Sequence, residues 1–157
     1  MKLSDLTSPD NYFEDFAVGQ VIRHARGKTM EGLENVLITN LVMNTAQAHF
    51  NEDSMKDRGG RLVYGGVTLS LVFGLAMQDT GENALAELGM DNIKLLRPVR
   101  HGDSLYAYSK VLAVESGDNT DAGEVTFRHY GVNQNDELVC EGDRRMLIKR
   151  RDPWASR

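Results

Sequence analysis

The residues best suited to chemistry stand in two places: Asn44 and His49 in the segment NTAQAH, and the Gly65-Gly66 pair that opens the apolar run GGVTLSLVFGLAMQDTG. An imidazole has an ordinary pKa of about 6.5, so near neutral pH it can take a proton from water and return it. The amide of Asn44 can orient such a water but cannot take its proton, because an amide only donates and accepts hydrogen bonds. Paired glycines allow close approach of a ligand to the backbone. The first-turn N–H groups of a helix carry partial positive charge, suited to holding a carbonyl oxygen. Each feature also has a plain structural reading: a histidine in a polar loop is commonly just solvated, and Gly-Gly commonly just turns the chain into a helix.

Positioning these groups is the work of the elements around them. Val67, Leu69, Leu71, Val72, Phe73, Leu75, Ala76 and Met77 fall on nearly every side of a helix, which predicts a central helix from Gly65 to Gly81 wrapped by other structure. At about 15 residues and roughly 22 Å it is too short to span a bilayer. Upstream, Val21 to Thr29 reads as a strand. Leu33, Val36, Leu37, Leu41 and Val42 then recur at three- and four-residue spacings that predict a short amphipathic helix between Thr29 and Asn44. His49 falls in AQAHFNEDSMKDRGG, whose polar, glycine-ended character predicts a loop or broken helix overhanging the body. After the central helix the period becomes that of strands: DNIKLLRPV, SLYAYSKVLAVES, AGEVTFRHYGVNQ and ELVCEGDRRMLIKR, separated by turn residues. A long helix followed by an antiparallel meander predicts an α+β fold in which a long, curved sheet wraps the helix.

The 157 residues, 41% hydrophobic, suffice for one well-packed domain. A net charge of −5 argues against an electrostatic grip on nucleic acid or on an anionic membrane. The single cysteine, Cys140, cannot form an intrachain disulfide and reads as a small strand residue; with no apolar signal segment in MKLSDLTSPD, a cytoplasmic setting is expected. Residues 1–11 read as a loose arm and 151–157 as a charged tail broken at Pro153, with Tyr12, Phe13 and Phe16 covering one end of the core. His101-Gly102-Asp103 reads as a turn rather than a metal pair, since no third ligand stands at metal-site spacing, so no metal is expected. His24 and His129 fall in predicted strands, where a structural role is expected.

The order of a short helix, an N-x4-H segment, a glycine-led buried helix and a strand meander resembles the hot-dog fold of the MaoC-like dehydratases, the (R)-specific enoyl-CoA hydratases, over residues 12–150. NYFEDFAVGQ is similar to that family's opening, NTAQAHFNED to its catalytic overhang, RLVYGGVTLSLVFGL to the lead-in of its central helix, and LRPVRHGDSL to its turn into the long strands. The wording NTAQAH and LGMDNIKLLRPVRHGD is closer to the mesaconyl-CoA hydratase branch than to the crotonyl-CoA branch.

The resemblance implies a hydratase that reversibly adds water to the double bond of an enoyl-CoA thioester, using no cofactor beyond that substrate. It implies a homodimer or higher homo-oligomer built by pairing of sheets. It makes His49 the acid-base residue and puts Asn44 where the family carries an Asp, with Tyr64, Gly65, Gly66 and Thr68 around the substrate. Asn51 stands where a second Asp is usual, and Gly65 where a His often stands. Glu52 and Asp53 are nearby carboxylates able to replace the missing one, and Arg58, Arg61, Arg97 and Arg100 are candidates for CoA phosphates. Two other functions stay open: a hot-dog thioesterase, and an acyl-CoA-binding subunit without catalysis, for which Asn44 in place of Asp speaks.

Overall fold

The computed structural model describes residues 10–154. Residues 1–9 of the expected arm and 155–157 of the expected tail lie outside them. Five strands, β1 (Val21–Thr29), β2 (Ala84–Leu95), β3 (Ser104–Glu115), β4 (Ala122–Val132) and β5 (Leu138–Lys149), form one antiparallel sheet in the order β1-β3-β4-β5-β2. Helix α1 (Gly32–Leu41) and the short α2 (Glu52–Met55) precede the central helix α3 (Gly65–Thr80), which lies on β1, β3 and β4. The meander β3-β4-β5 thus forms the middle of the sheet, and β1 and β2 form its edges.

Strand β4 shows how the sheet makes a core. Val125, Phe127 and His129 are fully buried on the helix side, while Thr126, Arg128 and Tyr130 between them are partly open, the alternation that a two-residue period requires. One cluster under α3 gathers Met30, Val67, Val72, Phe73, Leu105 and Val139. A second, at the far end, gathers Phe13, Phe16, Val111, Phe127 and Ile148, with the Phe16 ring edge-on to Phe127 at 5.0 Å. Cys140 is buried, and burial pushes its thiol up to about 11, so it packs as the small strand residue expected.

Three expectations are corrected. Strand β2 begins at Ala84 rather than at Asp91, because register shifts at Ala84/Ala86, Glu87/Gly89 and Asp91/Lys94 throw its side chains out of a simple alternation. Helix α3 is not wrapped all round: Val67, Thr68, Val72, Phe73, Ala76 and Thr80 are buried against the sheet, but Ser70, Gly74 and Gln78 form an open stripe. Helix α1 is turned over. Asn35 and Thr39 are its fully buried residues, while Leu33 and Leu41 are 78% and 73% exposed, so the leucine spacing marks the outer face.

A polar seam crosses the core beneath α3. Asp79 at the end of that helix accepts from His24 Nδ1 at 2.6 Å; His24 Nε2 meets Ser109 Oγ at 2.7 Å, and Ser109 Oγ meets His129 Nδ1 at 2.6 Å. With both imidazoles neutral the protons point one way: His129 Nδ1 donates to Ser109, Ser109 donates to His24, and His24 donates to Asp79. His129 Nε2, buried against the Phe73 ring, has no hydrogen-bond partner among the described residues.

Candidate active site

The overhang expected around His49 is an Asx turn followed by one turn of 3-10 helix, Gln47–His49. The Asn44 side-chain oxygen accepts the Ala46 N–H at 3.0 Å, and the Ala46 carbonyl accepts the His49 N–H at 3.1 Å. The chain then bends through α2 and returns so that Leu62 N–H donates to the Ala48 carbonyl and Leu62 pairs with Arg100 in an isolated bridge. This return places the Leu62 carbonyl 3.0 Å from His49 Nδ1. A carbonyl only accepts, so Nδ1 carries the proton and Nε2 keeps its lone pair, the tautomer a base needs. The Tyr64 ring lies beside the imidazole, centroids 5.5 Å apart.

His49 opens on a cavity of about 310 Å³ bounded by Leu62 and Val63, by Gly65 and Thr68 at the start of α3, and by the Leu95–Val99 stretch that leaves β2. At the head of α3 the Val67 and Thr68 N–H groups both turn back to the Tyr64 carbonyl, at 2.9 and 3.1 Å. The Gly65 and Gly66 N–H groups have no hydrogen-bond partner among the described residues, the orphan donors of a helix start. His49, Thr68 and Arg97 supply the polar side chains of the wall; the remainder is apolar apart from backbone.

His49, Gly65 and Thr68 therefore share one cavity, with Tyr64 and Gly66 adjoining it in the chain. Asn44 does not line it; its oxygen is occupied by the turn that precedes His49. Neither carboxylate suggested as a replacement reaches it: Glu52 is paired with Arg61 at 2.8 Å and Asp53 with Lys56 at 3.1 Å, while Asn51 caps α2 by accepting the Ser54 N–H. Of the four arginines, Arg97 is the one on the cavity wall; Arg100 spends its guanidinium on the carbonyls of Arg58, Gly59 and Gly60. His101 sits in the expected turn, and burial beside the Arg61 guanidinium holds its pKa below the ordinary imidazole value. No group of three His, Cys, Asp or Glu side chains among the described residues could hold a metal.

Sequence reasoning missed Asn35. Its side chain is fully buried behind the site and bonds to three of the segments that build it. The available signal was the polar pair Asn35 and Thr39, one helical turn apart among leucines. Of the Leu95–Val99 wall only Arg97 is singled out by sequence; the apolar residues around it read as strand and turn.

A long antiparallel sheet cradling one central helix, with a histidine overhang at the helix start, is the hot-dog fold of the MaoC-like dehydratases. A putative MaoC domain protein dehydratase from Chloroflexus aurantiacus superposes with a TM-score of 0.86 at 29% identity, over 96% of this chain and 48% of that one. A Mycobacterium tuberculosis protein with a double hotdog fold shares the fold at a TM-score of 0.81 and 19% identity, over 98% of this chain and 47% of its own. The sequence pattern of the mesaconyl-CoA hydratase family matches residues 4–150, and the chain belongs to that family. It is 32% identical over 157 residues to the beta-methylmalyl-CoA dehydratase of Chloroflexus aurantiacus, covering 98% of this chain and 44% of the relative. The chain spans less than half the length of the curated relatives it matches.

Proposed function

We propose that this chain reversibly adds water to the double bond of an enoyl-CoA thioester, with a mesaconyl-CoA-like acyl group as the substrate that the names of its relatives suggest. The observation that carries the reading is the His49 tautomer: Nδ1–H is committed to the Leu62 carbonyl, leaving Nε2 as a base at the cavity that Gly65 also lines. His49 Nε2 takes a proton from water as the water oxygen bonds to the β carbon. The double-bond electrons move onto the thioester oxygen, and the Gly65 and Gly66 N–H groups hold the charge that develops there. The proton returns to the α carbon, and the reverse sequence expels water. Thr68 offers its hydroxyl as a second partner for the water, and Tyr64 packs the base from the side. Asn44 acts one step back, closing the turn that sets His49, and Arg97 supplies positive charge for an anionic part of the substrate. No cofactor beyond the thioester takes part.

Two copies pair along β2 in this reading. That edge strand exposes Leu88, Met90 and Ile93, more apolar surface than a lone edge ordinarily carries, and relatives of double length have room for two such units in one chain. No helix among the described residues is long and apolar enough to cross a membrane, and a cytoplasmic setting suits a CoA ester substrate.

The test is to follow the enoyl-thioester absorbance of crotonyl-CoA and mesaconyl-CoA together with free thiol. Loss of absorbance without thiol, reduced roughly 10²- to 10⁴-fold in His49→Ala, is the expected result. Thiol release instead would make the chain a thioesterase. Intact ester with a raised melting temperature would make it a non-catalytic binder.

A further inference from the structure

Asn35 touches both halves of this machinery. Its Nδ2 lies 3.2 Å from the Leu62 carbonyl, 3.4 Å from the His49 carbonyl and 3.1 Å from His101 Nε2. Its Oδ1 accepts the Tyr64 N–H at 2.9 Å, while the Thr39 hydroxyl donates to the Asn35 backbone carbonyl at 2.5 Å. Two N–H bonds thus serve three acceptors: one goes to the unprotonated His101 Nε2, and the other is shared by the two carbonyls. The Leu62 carbonyl is the same oxygen that fixes the His49 tautomer, and Tyr64 is the residue from which α3 starts. An apolar residue could fill the space but could not hold both. This explains why α1 presents leucines to solvent and an amide to the core.

We propose that Asn35 is a positioning residue, a single buried amide that holds the His49 base and the Gly65 and Gly66 donors in one frame with His101 as its anchor. The proposal rests on the reading of His49 as the base. Asn35→Asp keeps an oxygen for Tyr64 but sets a second oxygen against the Leu62 and His49 carbonyls, which it repels. The experiment compares wild type, Asn35→Asp and Val125→Ala, the last a core truncation in the distant cluster. The first readout is the imidazole nitrogen spectrum of the ligand-free protein, with His49 assigned by its loss in His49→Ala; the second is kcat against KM.

Wild type is expected to show the Nδ1–H form of His49, and Asn35→Asp to shift it toward the other tautomer. The kcat of Asn35→Asp should fall about 10²-fold, the order of loss that slight misplacement of reacting groups produces, with a much smaller change in KM. Val125→Ala should lower the melting temperature and change neither readout. An unchanged His49 tautomer, or an unchanged kcat, in folded Asn35→Asp overturns the proposal. Should Asn35→Asp not fold, His101→Leu, at a partly exposed position, removes the anchor and is judged by the same two readouts. The spectrum needs no substrate. A chain that hydrates nothing would therefore refute the proposed activity while the tautomer still decides whether Asn35 sets His49.

Discussion

The side chain of Leu95 lies over Gly65 so closely that a Cβ added to the glycine would stand 2.2 Å from Leu95 Cδ1. Leu95 is 57% exposed, and the atom in the way is the end of a mobile side chain, so Gly65→Ala should fold with Leu95 swung aside. The new methyl and the displaced leucine then crowd the donors at the head of α3, and kcat/KM should fall by at least tenfold. Adding Leu95→Ala should restore part of the loss, a coupling of about 0.5–3 kcal/mol between the two positions. The four kcat/KM values of the double-mutant cycle measure it; strict additivity would mean that Leu95 does not share the space over Gly65.

Gly131 presents the opposite case. A Cβ there would stand 2.5 Å from Val72 Cγ2 and 2.8 Å from Cys140 Sγ, and both neighbours are fully buried. Neither can rotate into solvent, so Gly131→Ala should cost about 1–3 kcal/mol, as overpacked cores do. Chemical denaturation measures this, and Val72→Ala in the same chain should recover part of it. A neutral Gly131→Ala would show that α3 can lift from β4 freely.

Legibility from sequence followed how local each signal is. Strands β3, β4 and the end of β5 were readable because a two-residue period survives in them, as in Val125, Phe127 and His129, whereas β1 keeps no such period and is marked by the Val18-Gly19 turn signal before it. Strand β2 was half hidden because its bulges break that period. The inversion of α1 could not be read, since five apolar side chains outweigh one Asn35 unless the hydrogen bonds it must make are already known. At the site, His49 and the glycine pair were visible as residue types, but the Leu62 carbonyl that selects the His49 tautomer is backbone brought in by tertiary folding. Asn44 reads as a partner of the water because it stands where the resembled family carries an Asp; the turn its oxygen closes with the Ala46 N–H is not legible from that.

The edge strand gives a prediction about assembly. Leu88 and Met90 on β2 are 40% and 47% exposed in the single chain. Burying the remaining exposed part of such side chains against a second copy would contribute roughly 1 kcal/mol each, and lysine at an edge opposes strand pairing. Wild type should sediment as a dimer at micromolar concentration, and the double variant Leu88→Lys, Met90→Lys as a folded monomer. A wild-type monomer at high concentration would count against pairing along β2.

The seam beneath α3 sets a pH dependence whose sign can be worked out. Burial, with the Arg144 guanidinium beside it, lowers the pKa of His129 to about 3 from an ordinary 6.5. The unfolded chain therefore takes up this proton first as the pH falls, and stability is full above about 6.5 and declines through the interval down to about 3. His101 is also lowered and adds to the same slope, but it is only partly buried. Asp143, held down by its bond to Arg128, and Glu34, held down by Lys28, act with the same sign only at lower pH, in and below the ordinary carboxylate range. Between pH 6.5 and 5 His129 thus contributes to the slope. His129→Leu leaves Ser109 its bond to His24 and His24 its bond to Asp79, so the variant should fold. Its melting temperature should change less than that of wild type over this interval. Equal slopes in the two proteins would mean that protonated His129 finds a partner in the core, where its Nε2 has none among the described residues.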